Sequence, residues 1–196
     1  MEKKKHRNLN SLSGGKYFSV QRMMYISVLV AQALVMFWLE SQLPSITLPG
    51  AKLGLANIFT LVAIYTLDPI SSFIVVFIRV LLSTLIAKSA AALLYSMTGA
   101  LLSYVVMFLI KNLGRDTFSR ISVSIAGAAF HNFGQVMMAS LVLHNARVMY
   151  YLPPLALIAV PTGLFVGLTG NFMINHIKKL GIYRSIVNTG GLKNGD

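Results

Sequence analysis

Six apolar runs separated by short polar or Pro- and Gly-bearing breaks organise this chain. They lie at about Val20–Leu39, Leu53–Leu67, Ile70–Ala87, Ala90–Ile110, Ile121–Leu143 and Leu152–Ile174. Most are close to the roughly 20 residues that a helix needs to cross a ~30 Å hydrocarbon layer. The second is short for that task. Pro44, Pro49 and Gly50 break the first connection, and Asp68-Pro69 makes a tight second one. His144 to Arg147 with Tyr150 and Tyr151 form a later connection, the tyrosines at interface depth. The last run begins at Pro153-Pro154 and is broken again at Pro161. The pattern predicts an all-α polytopic membrane bundle of six transmembrane helices.

Polar residues interrupt the apolar runs at informative places. On a helix, four-residue spacing puts Gly127, His131, Gln135 and Ala139 on one face, with Asn132 beside them. Lipid does not solvate His, Asn or Gln, so this face points at other helices or at a water-filled cavity. Arg79 lies mid-depth in the third run with Ser83 on its face, while Glu40, Lys52 and Asn57 lie near the outer ends of the first two. Each has a plain structural reading. Arg79 can pair with Glu40 or a backbone carbonyl, or snorkel; His131 and Asn132 can bridge helices; Lys52 and Arg147 can be solvated interface charges. Their common outer-half depth predicts instead a pocket that opens outward. Small residues mark close helix contacts: Gly163, Gly167 and Gly170 in the sixth run, Gly99 and Ser103 in the fourth, Ser27 and Ala31 in the first.

Composition supports the membrane class: 56% hydrophobic, 11% charged, mean hydropathy +0.70. The net charge of +12 sits mainly at the two ends and in the loop holding Lys111, Arg115 and Arg120. That distribution reads as topology rather than nucleic-acid binding, and it places both termini in the cytoplasm. The organisation expected is a basic tail over residues 1–19, a membrane domain over 20–177 and a second basic tail over 178–196. Ala31-Gln-Ala33 resembles a signal-peptide cleavage site, but the apolar run continues to Trp38, as in a retained helix.

Much chemistry is missing. With no cysteine there is no thiol nucleophile. The five acidic residues, Glu2, Glu40, Asp68, Asp116 and Asp196, are dispersed, so no carboxylate cage for a Mg²⁺-diphosphate can form. No phosphate-binding G-x-x-x-x-G-K-[ST] loop is present. His131 and His144 have no ligating neighbours at metal-site spacing. The reading is a non-enzyme that needs neither cofactor nor metal.

The run Pro49-Gly-Ala-Lys-Leu-Gly-Leu-Ala-Asn-Ile-Phe59, with Arg79 and Ser124-Ile-Ala-Gly-Ala-Ala-Phe-His-Asn-Phe-Gly-Gln135, resembles a bacterial membrane family. That family is labelled both Gx transporter and heptaprenyl diphosphate synthase component I. The arrangement also looks like the substrate-binding S component of energy-coupling factor (ECF) transporters. That likeness implies a multi-pass protein of the bacterial cytoplasmic membrane that takes up a small vitamin-like, flavin or quinone-precursor molecule. Its partners would be a transmembrane coupling protein and two cytoplasmic ATPases. Ligand contacts would fall at Glu40, Lys52, Asn57, Arg79, His131, Asn132 and Gln135. Where that family often has Ala-x-x-x-Ala on the first helix, this chain has Ser27-x-x-x-Ala31. The alternative is a non-catalytic membrane component of a heptaprenyl diphosphate synthase, since prenyl synthases hold their metal on aspartate-rich motifs that this chain lacks.

Overall fold

The computed structural model describes residues 20–42, 54–88, 90–114 and 117–180. Lys52 lies outside the described residues, as do the tails expected at 1–19 and 178–196 apart from Lys178, Lys179 and Leu180. Six α-helices form the bundle: α1 Val20–Ser41, α2 Asn57–Thr66, α3 Pro69–Ala87, α4 Ala90–Gly114, α5 Arg120–Val142 and α6 Leu152–Lys179. A 3-10 turn at Ala146–Tyr151 leads into α6. No strand occurs among the described residues.

Among those residues, Val20–Ser41, Pro69–Ile86, Ala90–Gly114 and Ala146–Lys179 are long and apolar enough to cross a bilayer. Their outward faces carry bare apolar side chains, with Leu85 73% and Leu157 75% exposed, as suits contact with lipid. The protein is a helical membrane bundle. α5 has the length at 23 residues, but Ser, His, Asn and Gln dilute its apolar character. It packs between α4 and α6.

The short second run has a structural reason. α2 is only 10 residues, roughly 15 Å at 1.5 Å per residue, and every residue but Tyr65 is buried. It touches all five other helices, so it is the bundle's axis rather than a lipid-facing span. Leu61, Val62 and Ala63 are wholly enclosed. A helix shielded by protein on all sides need not match the bilayer's thickness. The turn before it, with the Asn57 amide bonded to the Gly54 carbonyl at 2.9 Å, and the Lys111 ammonium on the Ile64 carbonyl satisfy backbone groups near its ends.

Two sequence expectations need correction. α6 is not broken at Pro161, which sits on an exposed face within a continuous helix. Proline lacks the N–H that would bond the Leu157 carbonyl. The next residue, Thr162, donates its hydroxyl to the Ile158 carbonyl at 2.8 Å, and the turn holds. α6 also continues past Ile174 through Lys178 and Lys179, so these two belong to its last turn. There they complement the negative end of the helix dipole.

The small residues set how closely the helices approach. A Cβ at Gly163 would stand 2.6 Å from the Ile125 Cα, and one at Gly167 2.8 Å from the Ile121 Cα, so α5 and α6 meet backbone to backbone. Gly134 meets Gly99 in the same way between α5 and α4. Ser27 and Ala31 instead face outward on α1.

At the end of the bundle where α1 and α3 begin, Arg22 is buried and its Nη1 meets Asp68 Oδ1 at 2.9 Å. Asp68 also caps α3, accepting from the Ser71 amide at 3.1 Å and its hydroxyl at 2.8 Å. Tyr104 of α4 ties in, donating to the Pro69 carbonyl at 2.8 Å.

Candidate functional site

At the opposite end, five helices surround one polar cavity. Its volume is about 40 Å³ as bounded by the described residues. That is room for a few waters, each needing roughly 10–15 Å³ by the same measure. Glu40 comes from the end of α1, Asn57 from the start of α2, Arg79 from the middle of α3, and His131 and Gln135 from α5. α4 contributes Ser96 and the small wall residue Ala100.

The geometry follows from helix register. Arg79 and Ser83, four apart on α3, both line the cavity, as do His131 and Gln135 on α5. The Arg79 Nη2 donates to Asn57 Oδ1 at 2.8 Å. Its Nε is buried with no hydrogen-bond partner among the described residues. Glu40 lies near enough for its charge to attract the guanidinium, but the direct partner of Arg79 is Asn57. Glu40 Oε1 accepts the Gly54 amide at 2.7 Å. Gly54 has φ +82°, a left-handed conformation that suits glycine, and a Cβ there would stand 3.0 Å from the Asn57 amide nitrogen. The Gln135 amide and the His131 Nε2 are 3.1 Å apart, and the His131 Nδ1 is buried beside Gly99. The cavity therefore offers a cation, an anion, an imidazole and two amides within one enclosure.

Five of the seven residues singled out from sequence share this enclosure: Glu40, Asn57, Arg79, His131 and Gln135. Asn132 does not. One residue on from His131, it is turned about 100° around the helix axis and donates to the Leu155 carbonyl of α6 at 3.1 Å. It lines a separate, largely apolar groove of about 430 Å³ between α5 and α6, beside Phe130, Phe133 and Pro153. Ser96 was missed, because a serine in an apolar helix carries no distinguishing signal. Gly54 was noticed only as part of a motif, although its amide is what Glu40 holds.

The residues so arranged fall within one family match. A model of the heptaprenyl diphosphate synthase component I family matches residues 29–173. The chain belongs to this family. The match spans all five cavity-lining polar residues named above and every helix in whole or in large part. The match carries the synthase label and not the transporter one, and it does not show the likeness to ECF S components. No curated protein and no solved structure matches the chain.

Proposed function

We propose that this chain is the non-catalytic membrane component of a heptaprenyl diphosphate synthase, working beside a separate catalytic subunit at the inner face of a bacterial cytoplasmic membrane. The family match over residues 29–173 carries the reading. Chemistry supports it. A prenyl transfer needs clustered carboxylates for its metal and diphosphate, and the described acids, Glu40 and Asp68, sit at opposite ends of the bundle. The rise from Arg22, the partner of Asp68, to Glu40 along α1 is roughly 27 Å at 1.5 Å per residue. Each carboxylate is already engaged, one by the Gly54 amide and the other by Arg22 and Ser71. The catalytic aspartates therefore belong to the partner. Reconstituting the chain in proteoliposomes with a soluble, Asp-rich prenyl synthase tests this. Long-chain prenyl diphosphate should form much faster with both proteins than with the synthase alone. An unchanged rate, with no copurification of the two, rejects the role.

A second reading is favoured by the cavity itself: a substrate-binding subunit of an ECF-type importer, with Glu40, Asn57, Arg79, His131 and Gln135 as ligand contacts. Five polar side chains from four helices facing one enclosure are more than helix bridging requires. The cavity of about 40 Å³ must enlarge to take a vitamin-sized molecule. Lys52, outside the described residues, is a further proposed contact, and Asn132 becomes one only if α5 rotates. This reading predicts a small molecule retained through purification, lost in Arg79→Ala and His131→Ala, and copurification of a coupling protein with ATPases. Absence of all three leaves the synthase component alone.

A further inference from the structure

Four helix ends meet at one basic corner, on the end of the bundle away from the cavity. Lys111 lies in the last turn of α4, Arg120 opens α5, and Tyr65 stands next to the end of α2. The Lys111 ammonium is 5.1 Å from the centre of the Tyr65 ring, and the Arg120 guanidinium is 5.5 Å from it. Lys178, in the last turn of α6, stands close enough for its charge to repel both.

Cations at a membrane edge ordinarily spread apart into water. These are fixed in place. The Arg120 Nη1 donates to the side-chain oxygens of Asn171 and Asn175, each at 2.7 Å, from successive turns of α6. Lys111 is tied to the Ile64 carbonyl. The groups that hold them are neutral amides and a peptide oxygen. Among the described residues no carboxylate meets either cation, since Glu40 and Asp68 are placed elsewhere. Positive charge held by neutral groups attracts an anion. A guanidinium with one nitrogen clamped still presents its remaining donors in a plane, which matches phosphate oxygens. Basic pockets between helix ends on the cytoplasmic side are where phosphate-bearing headgroups bind. Leu168, 52% exposed and seven residues before Asn175, continues the same face of α6 toward the bilayer centre, with Phe172, 75% exposed, beside it. Exposed apolar side chains of this kind suit contact with an acyl or prenyl tail.

We propose that Lys111 and Arg120, oriented by Asn171 and Asn175, hold the phosphate of a membrane lipid headgroup at this corner. The proposal rests on neither functional reading, because it uses neither the cavity's residues nor a catalytic partner.

The test uses the full chain in nanodiscs of phosphatidylcholine doped with phosphatidylglycerol, with retained lipid counted by native mass spectrometry. The wild-type protein should keep phosphatidylglycerol over phosphatidylcholine by about tenfold or more, as two basic side chains near an anionic headgroup imply. The Lys111→Gln/Arg120→Gln variant should fall to near parity. The Asn171→Ala/Asn175→Ala variant keeps every charge but releases the guanidinium, and it should lose most of the preference as well. Retention unchanged in the amide variant would mean diffuse attraction and would overturn the proposal, as would retention unchanged in the charge variant. If the charge variant fails to reach the membrane, the amide variant decides alone. Competition names the source of the phosphate. Displacement by a prenyl diphosphate but not by inorganic diphosphate identifies a prenyl lipid, and displacement by both shows that the phosphate suffices. Displacement by neither, with the preference intact, assigns the corner to the phospholipid.

Discussion

Arg79 in the middle of α3 reaches Asn57, the first residue of α2, through one hydrogen bond of 2.8 Å between two buried side chains. The bond fixes the central short helix against a long outer one at the level of the polar cavity. It also explains why a guanidinium is tolerated there: an amide oxygen meets it directly, and the charge of Glu40 acts on it from nearby.

The pair should be coupled energetically. Asn57→Leu removes the acceptor and leaves a buried charge, an effect of about 1–3 kcal/mol when a hydrogen-bond partner of a charged group is lost. Arg79→Met with Asn57→Leu removes both partners and should be more stable than Asn57→Leu alone, because replacing a buried polar pair by apolar groups avoids the stranded charge. Unfolding in mixed detergent micelles measures the cycle. A double variant less stable than Asn57→Leu would show that Arg79 is held by something other than Asn57.

Glu40 should matter for the backbone more than for its charge. Its carboxylate accepts the buried Gly54 amide at 2.7 Å. Glu40→Ala should destabilise by about 1–3 kcal/mol through the orphaned N–H. Glu40→Gln keeps an acceptor oxygen and should lose less. Hydrogen exchange at the Gly54 amide separates them: faster in the alanine variant, near wild type in the glutamine variant. Equal acceleration in both would make the charge decisive.

Helix count and the polar cluster were legible because both follow from local pattern. Apolar runs set the helices, and the 3.6-residue period put Arg79 with Ser83 and His131 with Gln135 on common faces. What sequence left open depends on neighbours. The centrality of α2 could not be read from Leu53–Leu67, since a short span and an enclosed helix have the same composition. Asn132 was grouped with His131 because adjacent residues are close in sequence, although one step turns a helix by about 100°. The expected break at Pro161 did not occur: α6 runs through it without interruption, as membrane helices tolerate an internal proline. Arg22 carried no signal in the sequence, and only the fold brings it to Asp68.

Glycine substitutions should sort by what the added methyl meets. A Cβ at Gly99 would lie 2.7 Å from the His131 carbonyl oxygen, and one at Gly134 2.9 Å from the Gly99 Cα. Backbone cannot move aside within a packed pair of helices, so Gly99→Ala and Gly134→Ala should each destabilise by about 1–3 kcal/mol, the range for overpacking. That outweighs the gain of up to about 1 kcal/mol in helix propensity. At Gly170 the obstacle is the Leu61 Cδ2 at 2.8 Å, the end of a side chain that can rotate. Gly170→Ala should therefore be the mildest of the three in thermal melts of the detergent-solubilised protein. The reverse order would mean that α2 is packed more rigidly than the α4–α5 contact.

Removing either partner of the Arg22–Asp68 pair should have unequal consequences. Asp68 has three donors, the Arg22 Nη1 and the amide and hydroxyl of Ser71, and it stands at the positive N-terminal end of the α3 dipole. Arg22→Met leaves that carboxylate capped twice and still favoured by the dipole. Asp68→Ala removes the cap and strips the buried guanidinium of its counter-charge together, and breaking a buried pair from one side costs about 3–5 kcal/mol. Asp68→Asn should fall between, because an amide oxygen can still accept from the Ser71 N–H while the charge is gone. The order of stability expected in denaturant titrations is wild type, Arg22→Met, Asp68→Asn, Asp68→Ala. Should Arg22→Met prove as damaging as Asp68→Ala, the arginine would be holding α1 through contacts beyond this carboxylate, and the cap of α3 would be the lesser part of the junction.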